Sequence, residues 1–131
     1  MTPNNTPSKK PIARQLSFCS VLIISPQIVE VILNEGVEIT GDMVDEFFMV
    51  VGEHMDSEIS ILLNKVTKYS YRFDALMKLS PSTKIRNIGV VTYDSLAAST
   101  SKFMMDRFNT SNKNVQLFKS REEALQWLQS L

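Results

Sequence analysis

Residues 88–93 read IGVVTY, and the fold turns on how they are interpreted. Ile88, Val90 and Val91 put apolar or β-branched groups on both faces of an extended segment, the pattern of a central strand covered on each side. Asp94 follows at once and is an N-cap for a long helix whose inward face is Leu96, Thr100, Phe103, Met104 and Phe108, with Asn109 near its end. A central strand running straight into a helix is the first half of a crossover unit. Such units are right-handed and make successive strands parallel.

Working outward in both directions extends the same alternation. Downstream, residues 115–118 form a short last strand. Ser120 and Glu123 then make an S-x-x-E capping box for a helix with Ala124, Leu125, Leu128 and Leu131 on its buried stripe. Upstream, residues 59–63 read as a buried strand, and a polar patch over residues 64–70 leads into a helix beginning near Ser70. Its inner face is Phe73, Leu76, Met77 and Ser80, and Pro81 ends it. A further helix spans about residues 41–55, with Thr40 as N-cap, Asp42 in the first turn, and Val44, Phe48, Val51 and Met55 at helical spacing.

The chain begins differently. Residues 1–14 hold three prolines and almost no apolar content, so they read as a flexible tail. Residues 16–24 set Leu16, Phe18, Ser20, Leu22 and Ile24 on one face of a strand. The turn SPQ joins it to a second strand over residues 28–33, and the two make an antiparallel hairpin that NEG at 34–36 closes. The predicted order is ββαβαβαβα: an α/β fold with a mixed, mostly parallel sheet, the first hairpin strand at or near an edge, and one domain over residues 15–131.

Composition narrows the function classes. At 131 residues the chain suffices for one hydrophobic core, and its 44% apolar and 21% charged content is that of an ordinary globular domain. A formal net charge of zero supplies no basic surface for nucleic acid or an anionic membrane. No stretch approaches the ~20 apolar residues of a bilayer span. With Cys19 the only cysteine, no internal disulfide and no thiolate metal site can form, and a reducing, cytoplasmic setting is expected. His54, the only histidine, reads as an ordinary helix residue. No metal or other cofactor is expected, because such sites need several convergent ligands.

Chemistry would collect at the carboxyl ends of the parallel strands, beside helix N-termini that favour anions. Candidates for holding an anion or a partner are Asn64, Lys65, Lys68, Tyr93, Asp94, Ser95 and Lys119, with hydroxyls at Thr67 and Ser70. A structural account competes with this one, since Ser70, Asp94 and Ser120 all serve as N-caps and Lys65 and Lys68 as solubilising loop residues. Catalysis finds little material. A serine nucleophile needs a base within reach, and His54 falls at the far end of its helix. The acidic groups Asp42, Asp45 and Glu46, and Glu122 with Glu123, read as solvated helix faces. Four scattered glycines make no phosphate loop.

Three segments carry a family resemblance: VEVILNEGVEIT (residues 29–40), NIGVVTYDSLAASTSKFM (87–104) and VQLFKSREEALQWL (115–128). Over residues 16–131 the chain resembles the STAS/SpoIIAA-like family, particularly its small bacterial members. The resemblance implies a cytoplasmic, non-enzymatic regulatory or protein-interaction domain with a protein partner. In the anti-sigma-factor antagonists of that family, a Ser or Thr in a D-[ST]-x-G motif at the start of the second helix is phosphorylated. The equivalent place here is NKVTKYSY (64–71), where Thr67 and Ser70 are candidate phospho-acceptors but neither the Asp nor the Gly is present. Two functional expectations follow: a STAS-like interaction domain, or a binder of an anionic or lipid-like molecule at the carboxyl ends of the strands. An unprotected edge strand invites pairing, which points to a homodimer through the hairpin edge.

Overall fold

The computed structural model describes residues 10–94 and 113–131. Within them the chain builds β1 (Ile12–Gln15), β2 (Cys19–Ser25), β3 (Ile28–Leu33), β4 (Glu38–Ile39), α1 (Gly41–Gly52), β5 (Ile59–Lys65), β6 (Ser70–Tyr71), α2 (Phe73–Leu79), β7 (Ile85–Thr92), β8 (Asn114–Phe118) and α3 (Arg121–Gln129). The helix expected after Asp94, with Leu96, Thr100, Phe103, Met104 and Phe108, lies outside the described residues, as do Ser95 and residues 1–9.

Six strands form one sheet in the order β1-β2-β3-β5-β7-β8. β2 runs antiparallel to both β1 and β3, whereas β3, β5, β7 and β8 are parallel. The mixed, mostly parallel α/β sheet is therefore the one expected. β7, the strand that decided the reading, sits between β5 and β8, and the apolar residues of both its faces are covered.

Each face has its own core. α1 and α2 cover one side, where Val29, Val31, Ile61, Ile88, Val90 and Val115 pack beneath Val44, Phe47 and Ala75. α3 covers the other, over Ile28, Leu62 and Val91, with Ala124 and Leu128 supplied by the helix. Leu62 and Val91 are wholly inaccessible, and burial of a side chain of that size stabilises the fold by roughly 1.5–3 kcal/mol. α3 lies close against β7 because Gly89 has no side chain: a Cβ there would stand 3.5 Å from the Cβ of Ala124 and from the Phe118 ring.

Four local expectations are corrected. The extended region starts before residue 15, because Ile12–Gln15 pair with β2 from Ile12↔Ile23 to Gln15↔Ser20. β1 is thus the sheet edge and the first hairpin strand lies beside it, near the edge as expected, so any edge pairing falls to β1. The Gln15 side chain fixes the intervening turn: its Nε2 donates to the carbonyls of Leu16 (3.1 Å) and Cys19 (3.2 Å), and its Oε1 accepts from Ser20 (2.7 Å). Leu16 and Phe18 belong to that turn, and the strand beyond it buries Cys19, Val21 and Ile23 instead of Ser20, Leu22 and Ile24.

α1 ends at Gly52, which leaves His54 and Met55 beyond it, and Phe47, not Phe48, is its buried aromatic. α2 begins at Phe73, with Arg72 at the cap position and no side-chain cap. Ser70 is spent on β6, which pairs in parallel with β4 (Glu38↔Ser70, Ile39↔Tyr71). The shorter helix is also rotated: Ala75 is buried, while Phe73 and Met77 are 70% and 50% exposed. Two other expected caps, Thr40 and Ser120, are present. Thr40 Oγ1 accepts from the Met43 N–H at 3.3 Å, and Ser120 Oγ from the Glu123 N–H at 3.1 Å.

Candidate functional site

The parallel register sets successive rows of side chains across the sheet. Val29, Ile61, Ile88 and Val115 form one row, and Val31, Leu63, Val90 and Leu117 the next. Alternation along each strand turns all of them toward α1 and α2. α1 and α2 do not fill the space above these rows. A cavity of about 100 Å³ remains there, floored by Val31, Ile61, Leu63 and Val90 and roofed by Val44, Phe47 and Leu79. Among the described residues its lining is almost entirely apolar.

Tyr69 and Tyr71 wall the cavity on the side of β4 and β6. They are held there by a strap over residues 66–72 that is hydrogen-bonded along the segment after β3. Thr67 Oγ1 donates to the Leu33 carbonyl at 2.6 Å, the Gly36 N–H to the Lys68 carbonyl at 2.6 Å, and the Arg72 N–H to the Ile39 carbonyl at 2.8 Å. Gly36 turns the partner segment with φ of 76°, a left-handed conformation that glycine adopts at low cost. The two tyrosine rings meet edge to face, 5.7 Å between centroids. Burial pushes the Tyr71 hydroxyl pKa up to about 12 and raises that of Tyr69 as well, so both stay neutral and act as hydrogen-bonding groups only.

Two lysines reach the cavity from opposite ends. Lys113, immediately before β8, is buried and donates to the carbonyls of Ser80 (2.7 Å) and Ser82 (2.6 Å), so it ties the sheet to the end of α2. Lys65, the last residue of β5, has no such employment. Its ammonium stands 4.6 Å from the centre of the Tyr69 ring, and among the described residues it makes no hydrogen bond or ion pair. Burial lowers the pKa of this lysine, and the nearby Asp94 carboxylate acts in the opposite direction.

The carboxyl rim gathers several of the predicted site residues but divides them between the two faces. The pairs Asn64↔Val91, Lys65↔Thr92 and Val91↔Phe118 carry residues 64–65, 92–94 and 119 to the same end of the sheet. Lys65 points to the cavity. Asn64 points to the α3 side, where it is buried in a chain of hydrogen bonds: Tyr93 Oη donates to Asn64 Oδ1 at 2.8 Å, and Asn64 Nδ2 donates to Glu30 Oε2 at 2.9 Å. Arg121 closes this chain, its Nε and Nη2 each 2.9 Å from Glu30 Oε1. Lys68 and Lys119 are exposed.

The candidate phospho-acceptors part company as well. Thr67 is half-buried with its hydroxyl committed to Leu33, while Ser70 is exposed in β6, three residues ahead of α2, away from the helix terminus expected to receive a phosphate. Sequence reasoning passed over Glu30, Arg121, Lys113 and Thr92. For Glu30 a signal existed, a carboxylate in the middle of the otherwise apolar strand IVEVIL. Such a charge is buried only when paired.

Comparison with known proteins bears on the fold. No family model matches the chain, and no curated protein matches it. Among solved structures it is similar to an uncharacterized protein of the DUF3478 family from Shewanella loihica PV-4, described as having a SpoIIAA-like fold. The identity is 12%, the match covers 90% of this chain and 91% of that one, and the TM-score is 0.50. The chain has a STAS/SpoIIAA-like fold, and no helix among the described residues is long and apolar enough to cross a membrane.

Proposed function

We propose that this STAS-like domain is a non-enzymatic binding module that takes a small, mainly apolar molecule with an anionic end into the cavity between the sheet and α1/α2. The cavity carries the reading. An interior normally packs to crystal-like density, and a void of about 100 Å³ costs on the order of 2 kcal/mol at about 24 cal/mol per Å³ unless something fills it. At roughly 10–15 Å³ per water-sized group, it accommodates on the order of seven to ten heavy atoms. The Lys65 ammonium, which makes no hydrogen bond or ion pair among the described residues, gives such a molecule's charged end a partner.

Native mass spectrometry of protein purified without detergent tests this. A retained species that disappears on denaturation is expected. Its repeated absence, together with no thermal shift from short-chain amphiphiles, would remove the reading. The non-enzymatic part draws support from His54, which follows the end of α1, whereas the cavity lysine Lys65 ends β5 at the opposite, carboxyl rim.

A second reading, a regulatory domain of the anti-sigma-factor-antagonist kind that docks on a protein partner in the cytoplasm, is favoured by Phe73 and Met77. They lie one turn apart on α2, and both are exposed. A pull-down should recover a defined protein, lost in the Phe73→Ser/Met77→Ser variant. Recovery unchanged in that variant counts against the α2 surface. Loss in Ser70→Glu alone would restore a phosphorylation switch.

A further inference from the structure

Thr92 is the last residue of β7 and stands directly opposite Lys65 in the parallel register. Ile88 and Val90 line the cavity, and Thr92, two residues beyond Val90, leaves the strand on the same face. It is only 7% exposed. Among the described residues its hydroxyl has no hydrogen-bond partner, although a buried hydroxyl without one costs about 1–3 kcal/mol. The half-buried Lys65 beside it, on a strand about 4.8 Å away, is equally without a hydrogen bond or ion pair among the described residues. Two adjacent donors, one buried and one half-buried and neither hydrogen-bonded among the described residues, sit where the apolar lining ends.

We propose that Lys65 and Thr92 together form a carboxylate site at the mouth of the cavity, one carboxylate oxygen taking the Lys65 ammonium and the other the Thr92 hydroxyl. This rests on the cavity reading and adds the class of head group. A carboxylate matches the pair in number, since it offers two oxygens to two donors, and in charge, since a single ammonium balances one negative charge. Asp94 lies close enough to act on Lys65 electrostatically. It therefore opposes a doubly charged phosphate monoester more than a carboxylate. An alcohol of the same length leaves the ammonium unpaired. The ligand class is a short apolar monocarboxylate.

Isothermal titration of the full chain with octanoate, octanol and octyl phosphate tests the assignment. Octanoate is expected to bind at least tenfold more tightly than either of the others. Lys65→Met should reduce octanoate to the level of octanol. Thr92→Val, which preserves shape and removes the donor, should weaken octanoate by roughly three- to tenfold and leave octanol unchanged, and Thr92→Ser, which keeps a hydroxyl, should retain most of the preference. Circular dichroism of each variant separates loss of binding from loss of fold. Equal affinity for octanoate and octanol, or an octanoate preference that survives both Lys65→Met and Thr92→Val, overturns the carboxylate site while leaving the cavity reading intact. If none of the three probes binds the native chain, the cavity reading fails and the site fails with it.

Discussion

Arg121→Met should destabilise the domain by about 2–3 kcal/mol, and the number follows from the surroundings of Glu30. The Glu30 side chain is 7% exposed, while that of Arg121 is 40% exposed. In the native chain one carboxylate oxygen takes both Arg121 nitrogens and the other takes Asn64. Without the guanidinium, the charge is left under α3 with a single neutral donor. Breaking a fully buried pair costs about 3–5 kcal/mol, and the half-open position of Arg121 lets water replace part of what is lost, which lowers the figure. Glu30→Leu should cost about 1–3 kcal/mol by a different route, because the amide of the buried Asn64 loses its acceptor. The double variant should then cost less than the sum of the singles by roughly 1–2 kcal/mol, since neither charge remains to be stranded. Urea unfolding followed by circular dichroism, with equal slopes across the four proteins, measures all three values. A cost below about 0.5 kcal/mol for Arg121→Met would falsify the claim that this pair is electrostatically buried.

Other perturbations test separate parts of the structure. Ser120→Ala removes the cap of α3 and should cost about 1 kcal/mol in urea unfolding. Gly36→Ala should cost about 1 kcal/mol purely through its backbone, because φ is 76° and nothing lies within 4 Å of the added carbon. Val90→Leu adds one methylene to the cavity and should raise stability by up to ~0.8 kcal/mol while weakening octanoate; a loss of stability would mean that the space over β7 is already filled. The Glu46 carboxyl is held below its ordinary value of 4.5 chiefly by the Ser17 hydroxyl and then by the Ser17 N–H. A depressed carboxyl contributes stability above its unfolded pKa and loses it as pH falls through the folded one. The gap in unfolding midpoint between the native chain and Ser17→Ala should therefore be full above pH 4.5 and close as the pH drops further.

The parallel half of the sheet could be read because its periods are long and its signals redundant. Residues 88–93 are apolar on both faces, and Ser120 with Glu123 places the start of α3 to the residue. The errors cluster where an element is short. Four residues from Ile12 to Gln15 carry too little alternation to announce a strand next to a proline-rich start, and they form one because β2 offers an open edge. In α2, seven residues make two turns. Phe73, Leu76 and Met77 describe a helical stripe as well as Ala75, Leu76 and Leu79 do, and only packing against α1 selects the second. The strap over residues 66–72 has no local period, and its place is set by hydrogen bonds to residues more than thirty positions earlier.

The same distinction decides what the polar patch after β5 does. Sequence position alone makes Thr67 and Ser70 the residues to watch, because they stand just ahead of a helix. The geometry moves the interest by a residue or two and onto different chemistry. Thr67 is consumed in fastening the strap, Asn64 in satisfying Glu30, and Tyr93 in satisfying Asn64. Once these hydrogen bonds are assigned, the polar groups at this end of the sheet that remain without one, among the described residues and on the face of the cavity, are Lys65 and Thr92. Strand alternation is the reason: neighbours within a strand, such as Asn64 and Lys65, face opposite sides, whereas two residues on adjacent strands at one register, such as Lys65 and Thr92, share a face. A buried threonine at the end of an apolar strand reads from sequence as ordinary β-branched filler. Its partner across the ladder makes it a candidate ligand donor.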